Sequence, residues 1–196
     1  MLKVFGTHDE NTIAQMEACF QAGGAHAVLC ADGHKGYSQP VGGVIAYQGA
    51  VSVSGVGFDI ACGNMAVKTD AKLADVQPHI ETIMDDVFGQ ISFGVGRVND
   101  TPIDHELFDD AAWDVMPENS KGMARQQLGT VGSGNHYVDI FVDEHGFVWV
   151  GVHFGSRGLG HKTATMYLHA AGGKDGMDVP PTLVPEESQI GQSYIR

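Results

Sequence analysis

The segment 137–153, YVDIFVDEHGFVWVGVH, constrains the fold more than any other stretch of the chain. Two runs rich in β-branched and aromatic residues flank the polar sequence DEHG, a pattern typical of a β-hairpin. A histidine stands at the outer end of each run, His136 before the first and His153 at the end of the second. The pattern therefore predicts two paired strands that end in imidazoles.

Loop length decides how these two imidazoles are aligned. A loop of two or four residues places His136 directly opposite His153 on one face of the hairpin, with Cβ atoms about 4.5–5.5 Å apart. A three-residue loop shifts the pairing by one residue and, by strand alternation, turns the two rings to opposite faces. Given an even loop, the hairpin presents two imidazoles that suit a shared metal ion. The alternative is a pair of edge histidines that bond only to backbone or water.

A second group of metal-binding residue types lies in the sequence GVGFDIACG. Asp59 and Cys62 are three residues apart in a loop beside a strand, so their side chains can converge on one point. Carboxylate, thiolate and imidazole together suit a divalent ion: thiolate favours Zn²⁺, and carboxylate is more typical of Mn²⁺. The alternative is a buried cysteine beside an aspartate that caps a turn.

Composition excludes several classes of protein. The net charge of −13 argues against a nonspecific coat for nucleic acid, which requires a basic surface. Three cysteines cannot all pair, so a disulfide framework is not expected and a reducing compartment fits best. The N-terminus has no signal-peptide core and no apolar run is long enough to cross a membrane. We therefore expect a cytoplasmic protein with no membrane partner.

Local patterns predict an α+β fold with mixed sheets and flanking helices. Apolar spacing predicts helices in 10–22, 77–88 and 161–171, and a polar helical segment between Asp104 and Arg125. The runs VIAY and AVSVS around Gln48 and Gly49 predict a hairpin, and the tail after 173 is expected to be a loop. Strands and helices do not alternate regularly enough for a doubly wound sheet.

The sequence FGSRGLGHKTATM places Arg157 and several glycines just before a predicted helix. Free amides and the helix dipole favour an anion at such a point, and a guanidinium can hold a phosphate with two hydrogen bonds. No intact Walker A or dinucleotide-binding fingerprint occurs in the chain. Neither standard nucleotide-binding loop is therefore expected.

Four blocks, DGHKGYSQPVGGV, GVGFDIACG, QLGTVGSGNH and VHFGSRGLGH, resemble in order the motifs of the RtcB-type RNA ligase family. The resemblance extends over nearly the whole chain. It implies an RtcB-like α+β fold with glycine-rich active-site loops. It also implies that residues 1–196 form a single catalytic domain from which the C-terminal half of the family domain is absent.

The resemblance also implies an activity. Family members join RNA ends that carry a 2′,3′-cyclic phosphate or 3′-phosphate to ends that carry a 5′-hydroxyl, as in tRNA splicing and RNA repair. They use GTP and Mn²⁺ and pass through a covalent histidine–GMP intermediate. By motif, the metal ligands would be Asp59, Cys62, His136 and His153, and Cys62 resembles the thiolate that bridges two Mn²⁺ ions. Zn²⁺ is the alternative metal.

Further residues acquire roles by the same resemblance. Asn135 is similar to the asparagine that contacts the GMP phosphate, and Arg157 to the arginine that holds an RNA-end phosphate. Asp139 stands where the family carries a guanine-binding glutamate, and Phe154 replaces a small serine; these two departures imply an altered base preference and a narrower turn. Together, Asn135, His136 and Asp139 would form the nucleotide-binding part of the site.

The nucleophilic histidine of the family lies in its C-terminal half, and none of the ten histidines of this chain matches its motif. The resemblance therefore predicts a fragment that supplies most metal ligands, is inactive alone, and requires the missing half as a partner. Two alternatives are a diverged metallo-phosphohydrolase acting on RNA ends or nucleotides, and a non-catalytic piece that binds nucleotide or RNA ends.

Overall fold

The computed structural model describes all residues from Met1 to Arg196. It combines helices with three small sheets, which confirms the predicted α+β class. The strands β1 to β8 are Leu2–Val4, Gly24–His34, Val41–Tyr47, Ala50–Ser52, Gly63–Lys72, Tyr137–Val142, Phe147–Phe154 and Leu183–Pro185. The helices α1 to α7 are Glu10–Gln21, Val53–Val56, Leu73–Val76, Ile80–Gln90, Ser120–Gln127, Arg157–Ala170 and Gln189–Ile195. Three 3-10 helices are Gln77–His79, Glu106–Asp109 and Ala111–Val115.

The chain forms two compact units. The first contains Met1–Phe58 and Lys162–Arg196, and the second contains Asp59–His161. In the first unit β2 pairs with β1 in parallel and with β3 in antiparallel orientation. Helix α1 covers this sheet and buries Met16, which packs with Leu29 of β2. The side chain of Asp9 caps the start of the helix by accepting a hydrogen bond from the Thr12 amide at 2.9 Å.

Strand β4 pairs with β8, so the hairpin predicted around Gln48 and Gly49 is wrong. Its two expected strands belong to different sheets, because β3 pairs with β2 instead. The tail is also more ordered than expected, since it contains β8 and the helix α7, whose first turn Ser188 caps. These elements surround a second core cluster that includes Val53, Leu168 and Val184.

The second unit contains the three-stranded antiparallel sheet β5–β7–β6, with β7 in the centre. The predicted hairpin of β6 and β7 is present, but the even-loop alignment is wrong. His153 pairs with Tyr137, and Val142 pairs with Val148, which is the register of a three-residue loop. The loop is 144–146, and Gly146 at its end adopts a φ of +78°, which glycine accommodates without strain.

Asp143 fixes this loop and connects it to the sheet. Its Oδ1 accepts hydrogen bonds from the amides of His145 and Phe147, both at 2.9 Å. Its Oδ2 accepts one from the Trp149 indole at 2.9 Å and lies 3.7 Å from Lys68 Nζ. The bond from Trp149 and the two amides outweigh the cost of burial and lower the pKa of Asp143 from 3.8 to about 2.

This depressed pKa predicts how the stability of the hairpin depends on pH. A carboxyl group whose pKa is lower in the folded chain stabilises it above the unfolded pKa, and this contribution is lost as the pH falls through the folded pKa. Wild-type protein should therefore lose stability between about pH 4 and about pH 2. Asp143→Asn should be less stable at pH 7 and vary less across that window.

Urea unfolding followed by tryptophan fluorescence at pH 7 and pH 3 measures this difference. Asp70→Asn, an exposed change on β5 of the same sheet, is the matched control and should retain the wild-type pH dependence. Equal pH dependence in Asp143→Asn and wild type would contradict the role of Asp143.

The helix predicted at 77–88 is present as the 3-10 helix at its start followed by α4. Its predicted apolar face is only half covered: Ile83 and Val87 are half-buried, whereas Ile80 and Met84 are exposed. The segment Asp104–Arg125 contains less α-helix than its pattern predicts, because two 3-10 helices precede α5. None of the helices has the length and apolar character needed to cross a bilayer.

Candidate metal centre

The turn that leads into β5 positions Asp59 and Cys62. The Cys62 amide donates a hydrogen bond to the Asp59 carbonyl at 3.0 Å, and Ala61 between them adopts a φ of +61°. This tight turn places the thiol and the carboxylate of the GVGFDIACG sequence on the same side of the chain, toward the hairpin. The predicted convergence of the two side chains follows from this turn.

The two histidines converge although their predicted pairing is wrong. His153 lies at the end of β7, and His136 lies one residue before β6, where strand alternation does not apply. Their rings stack with centroids 5.4 Å apart and an interplanar angle of 28°. The shifted register therefore does not turn the imidazoles to opposite faces, because His136 belongs to the preceding turn and not to the strand.

The structure brings Cys62, His136 and His153 into one group, and Asp59 contacts this group through His136. Cys62 Sγ lies 3.3 Å from His153 Nε2, and His136 Nε2 lies 3.1 Å from Asp59 Oδ2. The ligand atoms of Cys62, His136 and His153 all lie within 4.8 Å of one another. A sulfur, two imidazole nitrogens and a carboxylate oxygen form a donor set that suits Zn²⁺ or Mn²⁺.

Asn64 orients His153. Its Oδ1 accepts a hydrogen bond from His153 Nδ1 at 2.7 Å and another from the Tyr137 hydroxyl at 3.3 Å. Because Nδ1 carries the proton, the lone pair of His153 is on Nε2, which faces Cys62 and the Asn135 side-chain amide at 3.1 Å. This is the tautomer that a metal ion bound at Nε2 requires, and a hydrogen bond to the other ring nitrogen is typical of metal-binding histidines.

His136 contains an unsatisfied nitrogen. Its Nε2–H donates to Asp59, which leaves Nδ1 as an acceptor, and Nδ1 is buried without a partner. A buried polar atom without a hydrogen bond costs about 1–3 kcal/mol, and such atoms occur at sites that bind an ion or water. The structure leaves this nitrogen unsatisfied, and the fit to a bound cation rests on the donor set.

Two glycines make room for the ligands. A Cβ on Gly132 would lie 2.1 Å from His136 Nδ1, and a Cβ on Gly155 would lie 1.9 Å from Asp59 Oδ1. The same Asp59 oxygen accepts a hydrogen bond from the Ser156 amide at 3.0 Å. Backbone from the two glycine-rich turns therefore contacts the ligands at distances that any side chain would prevent.

The local electrostatics also favour a cation. Burial, and then Asp59 nearby, raise the pKa of the Cys62 thiol, so the thiol is neutral in the metal-free arrangement. A divalent ion reverses this effect, because a coordinated thiol loses its proton. A bound cation would therefore stabilise the Asp59 carboxylate and the deprotonated Cys62 thiol together.

Arg157 is held rigidly at the start of α6. Its Nε donates to Thr130 Oγ1 at 3.0 Å and its Nη2 to the Gly94 carbonyl at 2.6 Å. The residue adopts a φ of +54°, and burial lowers the pKa of its guanidinium. A non-glycine residue in the left-handed region is typical of functional sites. Asp139, by contrast, lies opposite Gly151 in the sheet and is not part of the ligand cluster.

Removing the Asn64 side chain should weaken metal binding by about 10–100-fold, because His153 then loses the bond that fixes its tautomer and orientation. Isothermal titration of Asn64→Ala with Mn²⁺ measures the change. Tyr137→Phe is the matched control, since it removes only the longer hydrogen bond to Asn64 and retains the ring that stacks on His153 at 5.8 Å. An Asn64→Ala affinity equal to that of Tyr137→Phe would contradict this role.

Comparison with known proteins assigns this chain to a protein family. A family model described as tRNA-splicing ligase RtcB matches residues 12–115 and 100–196. The chain belongs to the RtcB family. Both matched segments together extend over nearly the whole chain, and the second includes all residues of the hairpin and of the Arg157 turn.

Curated RtcB relatives are similar over less than half of their own length. The tRNA-splicing ligases RtcB of Thermococcus kodakarensis and Archaeoglobus fulgidus are each 32% identical, with 86% of this chain and 46% of the relative covered. An RNA-splicing ligase RtcB homolog 1 of Entamoeba dispar is 30% identical, with 83% and 41% covered. The chain thus spans about half the length of the curated relatives it matches.

Proposed function

We propose that this chain is part of a cytoplasmic RNA ligase that joins 2′,3′-cyclic-phosphate or 3′-phosphate RNA ends to 5′-hydroxyl ends. The reaction depends on GTP and Mn²⁺ and passes through a histidine–GMP intermediate; the RNA ends come from tRNA exons or other cleaved RNA. The convergence of Asp59, Cys62, His136 and His153 within an RtcB-family chain is the observation that carries this proposal. Three free cysteines support a reducing compartment.

The four ligands would hold one or two divalent ions, with Cys62 shared between two Mn²⁺ ions and Zn²⁺ as the alternative. When bound, such ions neutralise phosphate charge and polarise phosphorus toward a nucleophile. The chain's own contribution is to hold the donors in place: Asn64 fixes His153, and the Ser156 amide fixes Asp59. Because these donors are already held in position, less conformational entropy is lost when the ions bind.

Two further residues are proposed to hold the substrates. Arg157, already fixed by Thr130 and the Gly94 carbonyl, would bind the phosphate at the RNA end as negative charge develops. Asn135 would donate its side-chain amide to the GMP phosphate; the same amide lies 3.1 Å from His153 Nε2, so the nucleotide would lie beside the ions. His136 and Asp139 complete the proposed nucleotide site, with Asp139 directed at guanine.

The nucleophilic histidine is proposed to lie in sequence that this chain does not contain, and this complementary half is the required protein partner. Guanylylation of the native protein tests the proposal. Native protein is isolated, its intact mass is measured, and it is incubated with Mn²⁺, GTP labelled at the α-phosphate, and an RNA pair with 3′-phosphate and 5′-hydroxyl ends. We expect acid-labile protein label and joined RNA, and neither from the 196-residue chain alone.

Two results would replace this proposal with another function. Metal-dependent loss of phosphate from RNA ends without any protein label would identify a metallo-phosphohydrolase. Nucleotide binding that is unchanged in Cys62→Ala, without catalysis, would identify a binding fragment. In the chain alone, Mn²⁺ should protect Cys62 from a thiol reagent, and metal-independent reactivity of Cys62 would contradict the ligand set.

A further inference from the structure

A cavity of about 460 Å³ lies beside the ligand cluster, entirely within the Asp59–His161 unit. Its volume is within the range of about 300–1,000 Å³ that is typical of small-molecule sites. His153 and Arg157 line the cavity together with aromatic residues, of which Phe108 is only 1% exposed, so Trp113 and Phe154 provide the accessible aromatic surface. The cavity therefore joins a proposed metal and phosphate site to a space with aromatic walls.

Most polar side chains that line this cavity are already bonded within the protein; the exception is Ser156, whose Oγ is buried without a hydrogen-bond partner. Thr130 accepts a hydrogen bond from Arg157 and donates to the Gln127 carbonyl at 2.6 Å, while Gln127 Oε1 accepts from the Gly158 amide at 3.0 Å. The Trp113 indole donates to the Leu107 carbonyl at 2.9 Å. Because these groups are engaged, the cavity offers flat apolar surface and few free donors or acceptors. It suits a ring that stacks, and Ser156 Oγ is a lining polar group without a partner.

Phe154 gives the cavity an aromatic wall at the metal site. It follows His153 directly at the end of β7, and its ring lies against Gly63 of β5, where an added Cβ would be only 3.6 Å from the ring. The side chain is 42% exposed, so part of the ring is free to contact a ligand. A flat apolar group seated there would lie next to the guanidinium of Arg157.

We propose that this cavity binds the terminal nucleobase of the RNA strand whose phosphate Arg157 holds. The inference rests on the proposed function, and it adds a subsite for the base that precedes the reacting phosphate. Since stacking on aromatic rings is tolerant of base identity, the subsite accepts all four bases and prefers the larger purines. The subsite holds the end of the strand by stacking on its terminal base and does not require a particular sequence.

Fluorescence of Trp113 tests the subsite. In a Trp149→Phe background Trp113 is the single tryptophan, and adenosine 3′-monophosphate, which carries a base and a 3′-phosphate, is the probe. We expect a saturable change in emission with adenosine 3′-monophosphate, a weaker one with adenosine, and none with inorganic phosphate. No change with either nucleoside compound, or the same change with inorganic phosphate, would overturn the proposal.

Two variants locate the binding. Phe154→Ser removes the aromatic wall, and Ala124→Phe fills the cavity that Ala124 lines; each should weaken binding at least about tenfold. Ala111→Phe, the same change at an exposed position that does not line the cavity, should stay within about twofold of the parent. Unchanged affinity in Phe154→Ser, which adds no bulk to the fold, would overturn the proposal even if Ala124→Phe failed to fold.

The same samples separate this proposal from the proposed function. Co²⁺ binding, followed by the thiolate-to-cobalt absorption of Cys62, reports the metal site independently of the cavity. Co²⁺ binding without any nucleotide effect would refute the base subsite and leave the metal centre intact. A nucleotide effect in protein that binds no Co²⁺ would support the subsite and refute the ligase function.

Discussion

Cys62→Ser is expected to reduce the affinity for Mn²⁺ or Co²⁺ by about 100-fold or more, because it removes the one sulfur ligand of the cluster. The thiol lies 3.3 Å from His153 Nε2, so its loss leaves the imidazoles with a single carboxylate. Serine has nearly the same size, and the wild-type side chain is exposed, so the fold should be retained. Isothermal titration measures the loss of affinity for Mn²⁺, and cobalt absorption measures the loss of the sulfur ligand.

The other cysteines provide the control. Cys30 is also free, lies half-buried in β2 of the other unit, and has no part in the ligand cluster. Cys30→Ser should bind metal as the wild type does. Wild-type affinity in Cys62→Ser, or an equal loss in both variants, would show that Cys62 is not a ligand and would remove the main support for the metal centre.

The sequence predicted that these residues lie close together better than it predicted their exact alignment. The three-residue spacing of Asp59 and Cys62 is local, and one turn with a backbone hydrogen bond at 3.0 Å brings the two side chains together. The sequence leaves the loop length open, and the structure has the three-residue loop, which Gly146 at φ +78° and the Asp143 side chain stabilise. Both loop lengths fit the apolar pattern of the strands, so only turn chemistry separates them.

Asn64 was missed because its role depends on pairing between distant strands. It lies opposite His153 only through the register of β5 and β7, which are separated by more than seventy residues in the chain. The same limitation accounts for β4, whose short apolar pattern suits a hairpin with β3 equally well as the actual pairing with β8. An alternating pattern predicts that a strand exists, but it does not predict which other strand pairs with it.

Gly155→Ala is expected to disrupt the metal centre without disrupting the fold. The new Cβ would lie 1.9 Å from Asp59 Oδ1 and 2.2 Å from Oδ2, so the carboxylate must leave its place. Asp59 would then lose the hydrogen bond from the Ser156 amide and its contact with His136. Gly155 has no positive φ, so alanine fits the backbone and the effect comes from the contact alone. We expect metal affinity to fall about 100-fold.

Gly132→Ala should have a similar effect through a different ligand, because its Cβ would lie 2.1 Å from His136 Nδ1 and 2.7 Å from Arg157 Nη1. Gly122→Ala is the control: it lies in α5 with open space around it, and alanine there should stabilise the helix by about 0.5–1 kcal/mol. Circular dichroism should show folded protein in all three variants, with metal affinity lost in the first two. If Gly155→Ala and Gly132→Ala bind Mn²⁺ as tightly as Gly122→Ala, the cation does not require Asp59 and His136 where they now lie, and the proposed centre is wrong.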